Sequence, residues 1–192
     1  NIPVTQTVMG YSTMKKDHSH YAGQIGGLGG KNTNSLAKQT DLAIAVGTKL
    51  ADFTTGSWAN FENENFKLVS VNVSRFDANK HLAQAVVGDA KVSLEELSLA
   101  LGDWKAEDDW NKKSQSELKV WNDHVDKESA PSNQEIPSYL QVIGSVYRNS
   151  DPSDIAVTAA GGLVGEVVQV WRPRELNTHE TEWGFSCMSY EI

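Results

Sequence analysis

The chain has 192 residues and a mass of 21.0 kDa, long for one average domain and short for two, so it holds one large domain or one plus part of another. Hydrophobic residues make up 39% and charged residues 22%, which supplies a real core and excludes a disordered tail. Seventeen Lys and Arg against 25 Asp and Glu give a net charge of −8, and without a basic stripe no nucleic-acid partner is expected.

Taken in chain order, Ile2–Thr7 reads as a strand and a helix is predicted from near Asn34 through Lys38. Leu42–Val46, closed by Gly47, is a second strand, and Leu68–Val73 is β-branched and alternating, as a third should be. Ser93 and Glu96 have capping-box spacing, and Leu94, Leu97 and Leu101 fall on one face of the helix they would open. Strands alternating with helices predict parallel pairing in a layered, Rossmann-like α/β sheet. From Lys105 to about Lys127 an amphipathic helix is predicted, with Leu118, Trp121 and Val125 on one stripe and Trp110 on a similar face. Ala130-Pro131-Ser132-Asn133 breaks it, so 129–136 reads as an inter-domain connection. Tyr139, Leu140, Ile143, Val146 and Tyr147 make another helical stripe, 149–153 a turn, and Asp154–Ala160 a strand. Gly161-Gly162 then lead into a helix containing Val167, Val168 and Trp171, followed by a loop over 172–184. With a single strand this last unit cannot close a sheet and looks cut off.

Charge divides the chain the same way. Residues 1–102 carry 9 acids and 9 bases, 103–135 carry 9 and 5, and 136–192 carry 7 and 3. The longest apolar runs are too short to span a bilayer, and no targeting signal follows Asn1. Cys187 is the sole cysteine, which excludes an intrachain disulfide and suits a reducing cytoplasm.

Several motifs carry residue types capable of chemistry. Gly26-Gly27-Leu28-Gly29-Gly30-Lys31 fails as a phosphate loop, because Ile25 and Asn32 stand where Gly and Ser/Thr are needed. It fails as G-x-G-x-x-G as well, since Asn32 replaces the third glycine. A tight turn needing glycine torsions is the simpler reading, with a nucleotide-type ligand loop as the alternative. Asp17, His18 and His20 are of metal-ligand type, but nothing completes a first shell at a diagnostic spacing, and a solvated turn is expected. His179-Glu180 lacks the second histidine of a zinc-protease helix, because Trp183 stands four residues on. Gly184-Phe185-Ser186-Cys187-Met188 misses the nucleophile elbow at Met188, and Cys187 reads as a small buried hydrophobe. The junction Thr158-Ala159-Ala160-Gly161-Gly162-Leu163 is more informative. Small residues between a strand and a helix N-terminus let a ligand approach the backbone and offer N–H groups to an anion, although they also simply turn the chain.

Three stretches, AVGTKLADFTTGSWANF, TAAGGLVGEVVQVW and EWGFSCMSYEI, resemble thiamine-diphosphate-dependent enzymes of the acetohydroxyacid synthase superfamily. The resemblance runs through the whole chain, and its last two motifs are specific, matching the branch that hydrolyses a cyclic polyol dione in myo-inositol catabolism. It implies that 1–102 is most of a Rossmann-like central domain, 103–135 a connection, and 136–192 the opening of a diphosphate-binding domain. It also implies an excised piece of a longer, oligomeric, cytoplasmic subunit that is inactive alone. The cofactor-protonating glutamate is then expected before Asn1, and the Mg²⁺-holding GDG…N motif after Ile192. Gly161, Gly162 and Leu163 match the segment beside the cofactor diphosphate. Met188 matches the apolar wedge between its two rings, next to Cys187. The Ser186 carbonyl matches the acceptor for its exocyclic amine. Ser189 departs from the family, which has glycine there, and His179 is one place off its family position and receives no role. Relatives hold FAD with loops matching 24–30 and 47–52, but an upstream glycine segment of that site is missing here, so flavin is not expected. An acetolactate synthase-like enzyme, an ADP- or FAD-binding module, and a structural fragment associating through an apolar face at 155–171 are the alternatives. Gly161-Gly162-Leu163, where a GQH-type segment would stand, argues against the first.

Overall fold

A computed structural model describes residues 1–185 and 187–191. Its contacts form two compact units, Asn1–Asn34 with Asp108–Ile192, and Ser35–Glu107. This is a different division from the boundaries at 102 and 135 suggested by charge and resemblance. Both units are α/β with parallel pairing, the architecture that the strand–helix alternation predicts.

In the unit Ser35–Glu107, strands β3 (Leu42–Val46), β4 (Lys67–Asn72) and β5 (Gln84–Val87) form a parallel sheet in that order. Their register sets Val46 against Val71, and Val71 against Val86. Ala45, Leu50 and Leu68 form the buried centre, with Trp58 and Phe66 packed on it. The sequence pattern does not bring out β5, because four residues are too few to show alternation. Short helices α2 (Asp52–Thr55) and α3 (Arg75–Ala78) connect the strands, and α4 (Ala90–Leu101) closes the unit. The Ser93–Glu96 capping box does not form. Asp89 is the cap, its carboxylate accepting the Val92 N–H at 3.0 Å, and Ser93 lies inside the helix. Leu94, Leu97 and Leu101 stay largely exposed.

The other unit starts with β1 (Val4–Gln6) parallel to β2 (Tyr21–Gln24). All four residues of β2 are buried, and its YAGQ sequence has no apolar alternation to reveal it. Helix α1 (Lys31–Gln39) follows the glycine loop. A Cβ at Gly29 would sit 2.3 Å from the Gln24 carbonyl oxygen, so close backbone approach requires glycine there. Helix α5 (Asp109–Glu128) starts later than its periodicity suggests, and its buried face changes character along its length. Asn111 and Gln115 donate to the Ser19 and Tyr21 carbonyls, whereas Leu118 and Val125 are apolar contacts.

Helix α6 (Tyr139–Asn149) opens with a complete capping box between Ser138 and Gln141. Ile143 and Tyr147 of its predicted stripe are buried, but Tyr139 and Val146 remain exposed. Strand β6 (Ala156–Thr158) is shorter than predicted and leads into α7 (Leu163–Val170). It does not stand alone: β7 (His179–Thr181), in the stretch that reads as loop, pairs with it in parallel. Val125, Ile143, Tyr147, Val167, Val170 and Trp171 form the core between α5, α6 and α7. The apolar stretch 155–171 is therefore mostly interior, with only Ile155, Val157 and Leu163 among its large side chains exposed. The Trp171 indole N–H donates to the Thr178 carbonyl, and the Tyr11 hydroxyl to the Val168 carbonyl at 2.8 Å, which tie β7 and the N-terminal segment to this core. Among the described residues no helix is long and apolar enough to cross a membrane.

Two predictions follow from this packing. A Cβ on Gly144 of α6 would lie 2.6 Å from the Ser129 carbonyl oxygen and 2.8 Å from its Cβ, so Gly144→Ala must push α6 off the end of α5. The expected loss is about 1–3 kcal/mol in denaturant unfolding, and an unchanged midpoint would refute this contact. His179 is packed edge-on against Tyr11 at 5.3 Å, and burial pushes its imidazole from 6.5 down to about 4. Between these values the unfolded chain binds a proton that the folded chain does not. Stability is therefore full above pH 6.5 and falls as pH drops toward about 4. Unfolding measured across this window is expected to be flatter in His179→Gln than in the parent, and parallel curves would contradict the burial argument.

Candidate functional site

Parallel register places Ala156 opposite His179 and Thr158 opposite Thr181, so β6 and β7 end side by side. In parallel α/β sheets, ligands sit beyond that carboxyl edge. Two segments leave it here: 159–162 into α7, and the chain from Glu182 onward. They are joined where the Ala159 N–H donates to Glu191 Oε1 at 3.0 Å. The junction and the C-terminal motif, joined by a bond between residues 32 apart in sequence, thus share one place.

Gly161 has φ +102°, a torsion that glycine supplies at no steric cost, and a Cβ there or at Gly162 would meet nothing within 4 Å. Gly162 caps α7 and Leu163 is half exposed. The backbone at this junction is consequently open to a ligand. Glu182 organises the opposite turn: its carboxylate accepts the Phe185 and Cys187 N–H groups, each at 2.8 Å. Those bonds, Cys187's first, hold the Glu182 carboxyl below its ordinary pKa. Ser186, the expected carbonyl acceptor, lies outside the described residues.

Cys187 is exposed, correcting the expectation of a buried small hydrophobe. Its main chain is tied to a surface carboxylate, which leaves the thiol no core to enter. Met188 is 84% exposed and Phe185 89%, so the turn presents two apolar side chains that the chain itself does not cover. Ser189 has φ +70°, a left-handed torsion that glycine adopts at least cost. Glu182 and Glu191 were not picked out from the sequence. The available signal was an acid three residues before a Gly-containing turn, a pattern that suits side-chain capture of turn N–H groups.

The remaining motifs lie elsewhere. Asp17, His18 and His20 are in an exposed loop where the His20 N–H donates to His18 Nδ1, and among the described residues no group of three His, Cys, Asp or Glu could hold a metal ion. The glycine loop is packed rather than open, since a Cβ on Gly30 would collide with Asn32 and with the Trp121 indole. In the unit Ser35–Glu107, a cleft of about 520 Å³ is lined by Trp58, Phe61, Phe66 and His81. It opens at the first residues of β4 and β5, the sheet edge opposite to the one parallel folds use for ligands.

The residues present suit part of a thiamine diphosphate site. An open glycine junction beside a helix N-terminus and an uncovered thioether on the facing turn are what a diphosphate and an aromatic ring require, whereas no carboxylate set for a divalent ion is found among the described residues.

A sequence profile for the thiamine pyrophosphate enzyme, central domain, matches residues 1–97. A 3D-(3,5/4)-trihydroxycyclohexane-1,2-dione hydrolase of Geobacillus thermodenitrificans is 35% identical over the whole chain, which covers 33% of that protein. Proteins of the same name from Clostridium perfringens and Clostridium tetani are 31% and 33% identical, again over the whole chain and 34% of theirs. The chain spans about a third of the length of the curated relatives it matches. With that profile covering residues 1–97 of 192, the chain belongs to the thiamine pyrophosphate enzyme family and carries its central domain.

Proposed function

We propose that this chain is part of a thiamine-diphosphate-dependent hydrolase that cleaves a carbon–carbon bond of a cyclic polyol dione of the trihydroxycyclohexane-1,2-dione type. The observation carrying this reading is the joining of the Ala159–Leu163 junction to the 182–191 turn at the shared end of β6 and β7. The names of relatives matching along the whole chain supply the substrate class. In domain terms, residues 1–102 form the central domain, 103–135 the connection, and 136–192 the start of the diphosphate-binding domain. The complete protein is a cytoplasmic homo-oligomer in this reading, with Mg²⁺ ligands contributed from outside the chain.

When bound, thiamine diphosphate supplies the carbon nucleophile for a dione carbonyl, chemistry no side chain here offers. The chain's part is orientation. Gly161 and Gly162 leave main-chain N–H groups approachable by the diphosphate, and Leu163 borders them. Met188, unbranched and polarizable, would pack against the cofactor's rings. By the resemblance, the Ser186 carbonyl would accept from the exocyclic amine, while Cys187 holds the turn through its N–H to Glu182.

In the full-length protein, Met188→Ala is expected to lower kcat on the dione about 10- to 100-fold, as misplacement of a reacting group does. Turnover at the parent rate would sink the wedge assignment. Glu182→Gln loses the charge that draws in the two N–H groups. It is expected to raise the thiamine diphosphate concentration needed for half-activation about tenfold, with kcat recovered at saturation. An unchanged activation curve would remove Glu182 from this role.

A further inference from the structure

The packed glycine loop borders a cavity that the cofactor reading leaves unused. It has about 20 Å³ of room for the centre of a water-sized molecule and lies where β2, α1, α5 and the segment after α7 meet. Gln24, 4% exposed, has neither amide atom hydrogen-bonded within the chain. Asn32, 7% exposed, donates Nδ2 to the Ala22 carbonyl at 3.0 Å, but its Oδ1 has no partner. The Arg172 guanidinium pairs with Asp126 through its outer nitrogens, leaving Nε buried and unpartnered. Two donors (Gln24 Nε2, Arg172 Nε) and two acceptors (Gln24 Oε1, Asn32 Oδ1) thus belong to residues lining one cavity.

Leaving four such groups bare is untenable in a chain of ordinary stability, because each forfeits its hydration with nothing in exchange. An internal water needs roughly 10–15 Å³ and two to four polar partners, and this cavity offers both. Its volume excludes a nucleotide or an organic ligand, and the neighbouring guanidinium disfavours a cation. A water molecule, with two protons to give and two lone pairs to receive, matches the balanced set.

We propose that this cavity binds one ordered water molecule through Gln24, Asn32 and Arg172, as a fixed part of the glycine-loop structure. Its position gives it a purpose. Gln24 ends β2, and its carbonyl receives the Gly30 N–H at 3.1 Å, so Gln24 is the base on which the loop closes. Asn32 opens α1, and Arg172 follows α7. The water joins the end of β2, the start of α1 and the segment after α7, and holds the loop base against the helical layer through the buried edge of the Arg172 guanidinium.

The test is a high-resolution crystal structure of the 192-residue chain. A single water peak as well ordered as the surrounding main chain, about 2.7–3.2 Å from Asn32 Oδ1 and from Gln24, is the expected result. Density showing Gln24 bonded directly to Asn32 or Arg172, or no peak in the cavity, overturns the proposal. In solution, ¹⁷O relaxation dispersion should count one long-lived water fewer in Gln24→Leu than in the parent. Equal counts in a folded Gln24→Leu also overturn it, and if that variant fails to fold, the crystal structure of the parent decides.

Discussion

The parallel pairing of β6 with β7 is the constraint on which the candidate site depends. Each strand has only three residues, so neither is stable by its own hydrogen bonds, and both are held by the helical layer. The Trp171 indole donates to the Thr178 carbonyl just before β7, and the Ser12 hydroxyl accepts the His179 N–H at 3.2 Å. These contacts fix where the chain re-enters the sheet. Once it has, two small-residue and turn segments have no choice but to leave the same edge together.

Polar groups finish what the sheet begins. Glu182 gathers the N–H groups of its own turn, and Glu191 reaches back to Ala159. Carboxylates are suited to this work because charge-assisted bonds to N–H groups are stronger than neutral ones, and an exposed carboxylate needs no burial. The outcome is a turn whose main chain is fastened while Phe185 and Met188 stay uncovered. An apolar side chain on a fastened, exposed turn is poor design for a lone globular surface but serves a ligand or further protein well. Ser189 shows the same priority, since it holds a left-handed torsion that serine tolerates less readily than glycine.

Much of this was legible beforehand. Leu42–Val46 is a strand to the residue, Ile143 and Tyr147 of the stripe expected over 139–147 are buried on α6, and the resemblance to thiamine-diphosphate enzymes agrees with the family that matches residues 1–97. Errors cluster where local signals are short or ambiguous. Asp89 outcompeted Ser93 as a cap because the helix starts earlier, and a carboxylate at that point reaches the Val92 N–H. Cys187 reads as buried by residue type, yet its own N–H bond to the Glu182 carboxylate keeps it at the surface.

By itself the sequence determined the alternation of strands and helices, the apolar stripes of α5 and α6, and the glycine-rich junction and Met-bearing motif that carry the resemblance. All of these rest on periodicity or on residue types with narrow conformational ranges. Only the tertiary structure decided that β2 and β7 are strands, because both lack alternation and are extended by pairing with partners far along the chain. It alone brought Glu191 to Ala159 and set Gln24, Asn32 and Arg172 around one cavity. Contacts between residues distant in sequence leave no trace in local pattern: their energy comes from the partner, which one-dimensional spacing does not name.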